Sequence, residues 1–185
     1  MDNIKSILKA NCRFMALTGK MGAGKDFIAD SYIMQNANKK CMKISFADQL
    51  KVNSILFHGA EFEKVFGQRD AKTRTILQDT GTNARNTDKD FWIKHFILWT
   101  YLHYVNNKIE LFIIPDCRFE NEYNLIKLLG GTVIKIYAPK RTRDRQEKEN
   151  CNKNHISEQE SVPYDHIIYN DYDDQISLNE YFSDK

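Results

Sequence analysis

A phosphate chain needs two things from a protein: backbone that can approach it closely and a positive charge on a long arm. Gly19-Lys20-Met21-Gly22-Ala23-Gly24-Lys25 offers both, with the spacing G-x-x-x-x-G-K. Glycines let the backbone curl so that successive N–H groups point inward at a di- or triphosphate, and a helix beginning just after them adds partial positive charge. Lys25 then reaches the outer phosphates. Asp26 stands where a serine or threonine that ligates Mg²⁺ is expected. A carboxylate serves the same hard cation, directly or through water, and it also suits the positive end of a helix. Without metal it repels a triphosphate, so nucleotide binding at residues 19 to 26 is expected to depend on Mg²⁺.

The spacing means something only between a strand and a helix, and the flanks read that way. RFMALT (Arg13 to Thr18) is a short apolar run, and Asp26 to Gln35 shows helical spacing of Phe27, Ile28, Tyr32 and Ile33. Further strands are expected at Lys40 to Phe46, Glu110 to Asp116, Thr132 to Ala138 and Asp165 to Asn170. Helical patterns fill Ala47 to Phe57, a short segment Ala71 to Thr80 stopped by Gly81, a buried helix from Phe91 to Val105, and NEYNLIKLLGG. Strands that are apolar on both faces and alternate with helices imply an α/β fold, a parallel sheet covered on both sides. In such a sheet ligands sit at the carboxyl ends of the strands. Thr18, Asp116 and Ala138 lie at such ends, so the loops after them are expected to share one cleft.

Composition and rival motifs remove several classes. The 185 residues, 42% hydrophobic and 28% charged, suit one compact domain. A formal net charge of +2 is too small for a general nucleic-acid or membrane binder. Residues 157 to 185 carry eight acids against Lys185 alone, which leaves about +9 on the first 156 residues, a surplus suited to a small polyanion in a pocket. Cys12, Cys41, Cys117 and Cys151 form no C-x-x-C pair, so a reducing cytosol fits best, and Cys151 with His155 lacks the second pair a zinc site needs. Phe91 to Val105 is too short to span a bilayer and holds Lys94, His95 and His103. MDNIKSILKANCR lacks the apolar core of a signal peptide. A dinucleotide loop needs G-x-G-x-x-G, which is not met. Asp116-Cys117-Arg118-Phe119 and Asn152-Lys153-Asn154-His155 fit neither D-x-x-G nor a guanine-reading motif.

GKMGAGKD together with SFADQLK (Ser45 to Lys51), RTILQDTGTNAR (Arg74 to Arg85), DFW (Asp90 to Trp92) and PDCRFENE (Pro115 to Glu122) resembles the deoxynucleoside monophosphate kinases of phages and large viruses. The likeness runs from about residue 13 to 170. Members of that family tend to carry G-K-D, with which Asp26 agrees, whereas Phe27 stands where a threonine is common. The resemblance implies a three-layer P-loop kinase fold, one domain over 1–185, with a monophosphate-binding insertion (47–90) and a lid (139–156). It implies ATP and a deoxynucleoside monophosphate as substrates, Mg²⁺ as cofactor, no nucleic-acid or membrane partner, a monomer or homodimer, and a cytoplasmic location, the host's if the source is viral.

Phosphoryl transfer is mostly positioning and charge stabilisation, which calls for arginines from separate loops. Arg74 and Arg85 are read as clamps on the acceptor phosphate, with Arg69 a further candidate. Gln78, four residues after Arg74 on the same helix face, offers a donor and an acceptor to a base edge, and Thr82 lies beside them. Phe46 and Trp92 suit either stacking on the acceptor base or core packing. Asp116 is a candidate Mg²⁺ holder through water, and Arg118 reaches for the transferred group. Glu120 and Glu122 suit either orienting those arginines or simply favouring the first turn of the next helix, and the second reading is preferred for both. In Lys140 to Asn154, six bases against three acids, Arg141 and Arg145 share a face if the segment is helical. Two rivals remain: a kinase of the same fold for a ribonucleotide or a phosphomevalonate-like acceptor, and a non-catalytic ATP-binding module.

Overall fold

The computed structural model describes residues 1–149, 162–171 and 178, with the backbone alone for 145–149. The chain opens with α1 (Asp2–Asn11), β1 (Arg13–Thr18), α2 (Lys25–Gln35) and β2 (Cys41–Lys43). Then come α3 (Asp48–His58), α4 (Phe62–Phe66), α5 (Ala71–Thr87) and α6 (Phe91–Asn107). It continues through β3 (Leu111–Ile114), α7 (Glu120–Leu128), β4 (Thr132–Tyr137), α8 (Pro139–Glu149) and β5 (His166–Tyr169).

The strands form one parallel sheet in the order β2-β3-β1-β4-β5. The register sets Ala16 of β1 between Ile114 of β3 and Val133 of β4. Successive side chains of a strand face opposite ways, so β1 feeds two cores. Phe14 and Ala16 join Leu8, Phe96, Phe112, Ile126 and Val133 on one side. Met15 and Leu17 join Ile28, Tyr32, Ile113, Ile134 and Ile168 on the other. Helices α1, α6 and α7 supply the first cover and α2 the second, which is why the strands read as unbroken apolar runs. The expected three-layer α/β architecture is therefore the one observed. After β1 the chain leaves for one side of the sheet, and after β3 it crosses to the other. Reversals of this kind leave a crevice at the carboxyl ends.

Three expectations are corrected. β2 ends at Lys43 and β3 at Ile114, short of Phe46 and Asp116, because both chain ends turn toward each other through the Asp116 carboxylate. α5 does not stop at Gly81. It starts on Asp70, whose side chain accepts the Thr73 N–H at 2.8 Å, and runs on to Thr87. Glycine weakens a helix without ending it, and here the Gly81 carbonyl also accepts the Trp92 indole N–H at 3.1 Å. Finally, α6 is buried on one side only: Trp92, Ile93, Phe96 and Ile97 are covered, while Leu98, Trp99, Leu102 and Val105 are exposed. No helix of the described residues is long and apolar enough to cross a membrane.

Two glycines predict opposite outcomes. A Cβ on Gly131 would lie 2.9 Å from the Phe14 carbonyl oxygen and 2.7 Å from Ile126, so Gly131→Ala should cost about 1–3 kcal/mol through overpacking. A Cβ on Gly81 would meet only side-chain ends of Leu50 and Arg85 at 3.4 Å, so Gly81→Ala should stabilise by about 0.5–1 kcal/mol. Urea unfolding of both variants checks the signs.

Candidate active site

The loop between β1 and α2 is shaped by what its glycines lack. Gly19, Gly22 and Gly24 have φ of 135°, 87° and 88°, a region that L side chains rarely enter. Contact adds a second reason. A Cβ on Gly19 would sit 2.4 Å from the Ile136 carbonyl oxygen of β4, and one on Gly24 would sit 2.4 Å from the Asn170 amide at the end of β5. Lys25 is buried, and its Nζ donates to the carbonyls of Gly19 at 2.6 Å and Lys20 at 2.9 Å. The ammonium thus lies under the loop it is to serve, within reach of any anion the loop holds. Lys20, Met21 and Ala23 complete the curl, closed by the Ala23 N–H on the Lys20 carbonyl at 3.2 Å.

Asp116 follows β3 and ties the neighbouring loop down. Its carboxylate accepts the Ser45 hydroxyl together with the N–H groups of Phe46 and Ala47, both at 3.0 Å. A carboxylate has about four lone-pair directions, so these bonds leave room for a water. Asp26 is exposed on the first turn of α2, 4.0 Å from the Lys43 ammonium, which lies 2.6 Å from Asp30. Among the described residues no group of three or more His, Cys, Asp and Glu could hold a metal ion.

Most of the predicted arginines gather on this side of the sheet. Arg74 of α5 reaches the loop itself, its Nη1 3.6 Å from the Met21 sulfur. At helical spacing Gln78 and Arg85 follow Arg74 along one face of α5, with Thr82 at its edge, and all four are half-buried. Arg85 lies 3.9 Å above the Phe119 ring, with Nη2 3.6 Å from the Glu122 carboxylate and Nη1 3.4 Å from the Gly81 carbonyl. Arg118 is half-buried, its N–H bonded to Glu122 at 2.7 Å. Arg141, on the first turn of α8, points Nη1 at the Asn170 carbonyl oxygen, 3.5 Å away. Arg69 stays with its own helix end, its Nε donating to the Val65 carbonyl at 3.1 Å. The Arg145 side chain and the rest of the expected lid, with Cys151 and His155, fall outside the described residues. Phe46 and Trp92 occupy core positions: Phe46 stacks on Phe96, ring centres 4.2 Å apart, and the Trp92 indole is bonded to Gly81.

Two further side chains matter here. Glu122, read as a helix-favouring acid, is 3% exposed. Its Oε2 accepts the Arg118 and Phe119 N–H groups at 2.7 and 3.1 Å, and Oε1 faces Arg85. Burial, reinforced by the charge of Asp116, pushes its carboxyl up to about 7 against the pull of those N–H groups and Arg85. Its place three residues after the helix cap was the available signal. Asn170 carried no local signal. A further cleft of about 350 Å³, lined by Asn53, His58, Asp79, Asn83, Phe91 and Trp92 among others, lies against the face of α5 turned away from Arg74 and Arg85.

The sequence is similar to those of known proteins. The model of the phosphomevalonate kinase family matches residues 17–129. A putative deoxynucleotide monophosphate kinase of Acanthamoeba polyphaga mimivirus is 30% identical over 145 residues, 68% of this chain and 74% of that protein. The chain belongs to the viral deoxynucleotide monophosphate kinase family. A deoxynucleotide monophosphate kinase of Enterobacteria phage T4 is 32% identical over 115 residues, which cover 60% of this chain and 42% of that protein's length. Membership makes this chain a phosphotransferase.

The Glu122 carboxyl makes stability depend on pH in a definite direction. Between 4.5 and about 7 the folded chain keeps a proton that the unfolded chain has released. The stability this group contributes is therefore complete below 4.5 and is lost as pH rises toward 7. Glu122→Gln should flatten the decline in unfolding free energy between pH 5 and 7.5; equal slopes in urea titrations of the two proteins would contradict this.

Proposed function

We propose that the chain transfers the terminal phosphoryl group of ATP to a deoxynucleoside monophosphate, giving ADP and a deoxynucleoside diphosphate in the cytoplasm, the host's if the source is viral. The observation that supports this reading is Arg74 lying against Met21, so that the arginine face of α5 meets the loop read as the donor-phosphate site. The names of the mimivirus and phage relatives support the acceptor.

In this reading the N–H groups of residues 19–25 and the Lys25 ammonium hold the donor phosphates. Arg74 and Arg85 grip the acceptor phosphate in line with them, Gln78 and Thr82 meet the base and sugar, and Arg118 and Arg141 bring charge to the moving group. Arg145 and Arg69 are retained as further donors of positive charge. Glu122 keeps the Arg118 backbone and the Arg85 guanidinium in place. Mg²⁺ when bound would neutralise charge on the bridging phosphate oxygens, with Asp116 and Asp26 holding its waters. No covalent intermediate is required, and exclusion of water is assigned to the lid, residues 139–156.

A second acceptor has its own support, since the matching family model is that of phosphomevalonate kinase. The two readings part at residues 74–92, which must recognise a base in the first case and a phosphate alone in the second. An ADP-coupled assay with deoxy- and ribonucleoside monophosphates and phosphomevalonate decides. Turnover is expected with deoxynucleotides and should fall by about 10²-fold or more in Lys25→Ala. Turnover with phosphomevalonate alone moves the acceptor, and ATP binding without any turnover leaves a nucleotide-binding module. In calorimetry, ATP affinity should drop sharply when Mg²⁺ is chelated, because Asp26 then opposes the triphosphate; unchanged affinity would remove Asp26 from the metal site.

A further inference from the structure

Asn170 closes β5 and belongs to neither the glycine loop nor the arginine face, yet it touches both sides of the donor site. It is 3% exposed, and its backbone N–H is fixed to the Tyr137 carbonyl at 2.9 Å. Its side-chain Nδ2 donates to the Ala23 carbonyl at 2.7 Å, and its Oδ1 faces Arg141 Nη1 at 3.5 Å. The amide fills the space that a Cβ on Gly24 would need. Next to it, Asp171 accepts the Lys140 N–H at 3.1 Å, so the start of α8 is tied to the same strand end.

The chemistry of these contacts is specific. The Ala23 carbonyl requires a donor and the Arg141 guanidinium an acceptor, and a primary amide supplies both from one planar group. In a trans peptide the carbonyl and the following N–H point in opposite directions. Holding the Ala23 oxygen toward the Asn170 amide therefore turns the Gly24 N–H the opposite way. We propose that Asn170 is a positioning residue for phosphoryl transfer, which orients the Ala23–Gly24 peptide for the donor phosphates and seats Arg141 beside them. This rests on the reading of residues 19–25 as the donor-phosphate site. The role acts through Gly24 and Arg141, without contact between Asn170 and the reacting atoms. It also gives Gly24 a reason beyond its φ: the residue must leave room for the amide.

Asn170→Asp tests this with little change of shape. The carboxylate keeps an acceptor for Arg141 but loses the donor to Ala23 and opposes its carbonyl. Binding of a fluorescent ATP analogue to the full chain, read against thermal melting, should weaken by about tenfold or more with the fold retained. Asn170→Ala should weaken it by a similar factor. In turnover, Asn170→Ala combined with Arg141→Ala should cost clearly less than the product of the two single losses, because the residues act as a unit. ATP-analogue affinity within twofold of wild type in Asn170→Asp, or losses that multiply in the double variant, would overturn the proposal. A wild-type chain that binds the analogue but forms no deoxynucleoside diphosphate would instead strike the acceptor reading, and the binding comparison would still decide on Asn170.

Discussion

The molecule is organised around a loop that must be both tightly curled and closely walled. Positive φ at Gly19, Gly22 and Gly24 supplies the curl, and the Ile136 carbonyl and the Asn170 amide form the walls. Glycine allows the curl in any peptide, but the walls need β4 beside β1 and β5 beside β4 in fixed register, and that register comes from apolar side chains packed on the two faces of the sheet. The core therefore acts on function through geometry, since it sets how near strands from distant parts of the chain stand to the loop.

Electrostatics within that frame run in one direction. A buried ammonium lies under the loop, Arg74 of α5 reaches Met21 of the same loop, and Arg141 of α8 reaches the Asn170 side chain beside it. Carboxylates hold these groups in place: Glu122 braces Arg85 and the Arg118 backbone, and Asp116 anchors the loop after β2. Buried charges of this kind are costly unless each has several partners, and Glu122 shows the strain in its raised affinity for a proton.

What could be read from the sequence follows from the range of the interactions. β1 was legible to its exact bounds, because RFMALT is apolar on both faces and ends at a glycine. The loop and Lys25 were legible because their chemistry is local. The end of α5 was not: Gly81 looks like a stop, and the indole that bonds its carbonyl comes from the next helix. The exposed side of α6 was hidden for the opposite reason, since a helix apolar all round gives no clue to which face is covered. Glu122 and Asn170 depend on partners 37 and 147 residues away, Arg85 and Ala23, and spacing carries no trace of such pairings. The resemblance to viral deoxynucleoside monophosphate kinases rests on local motifs, and the similarity to the mimivirus and phage proteins agrees with it.

The central claim is that the glycine loop and the arginine face of α5 hold two phosphate groups in one continuous site. The most direct test is equilibrium binding of a bisubstrate analogue, adenosine joined to a deoxynucleoside through a five-phosphate bridge, to the wild-type chain and to Lys25→Ala and Arg74→Ala. One continuous site predicts tighter binding than ATP alone, with the advantage lost in either variant. Binding no tighter than ATP, or an advantage that survives Arg74→Ala, would contradict it.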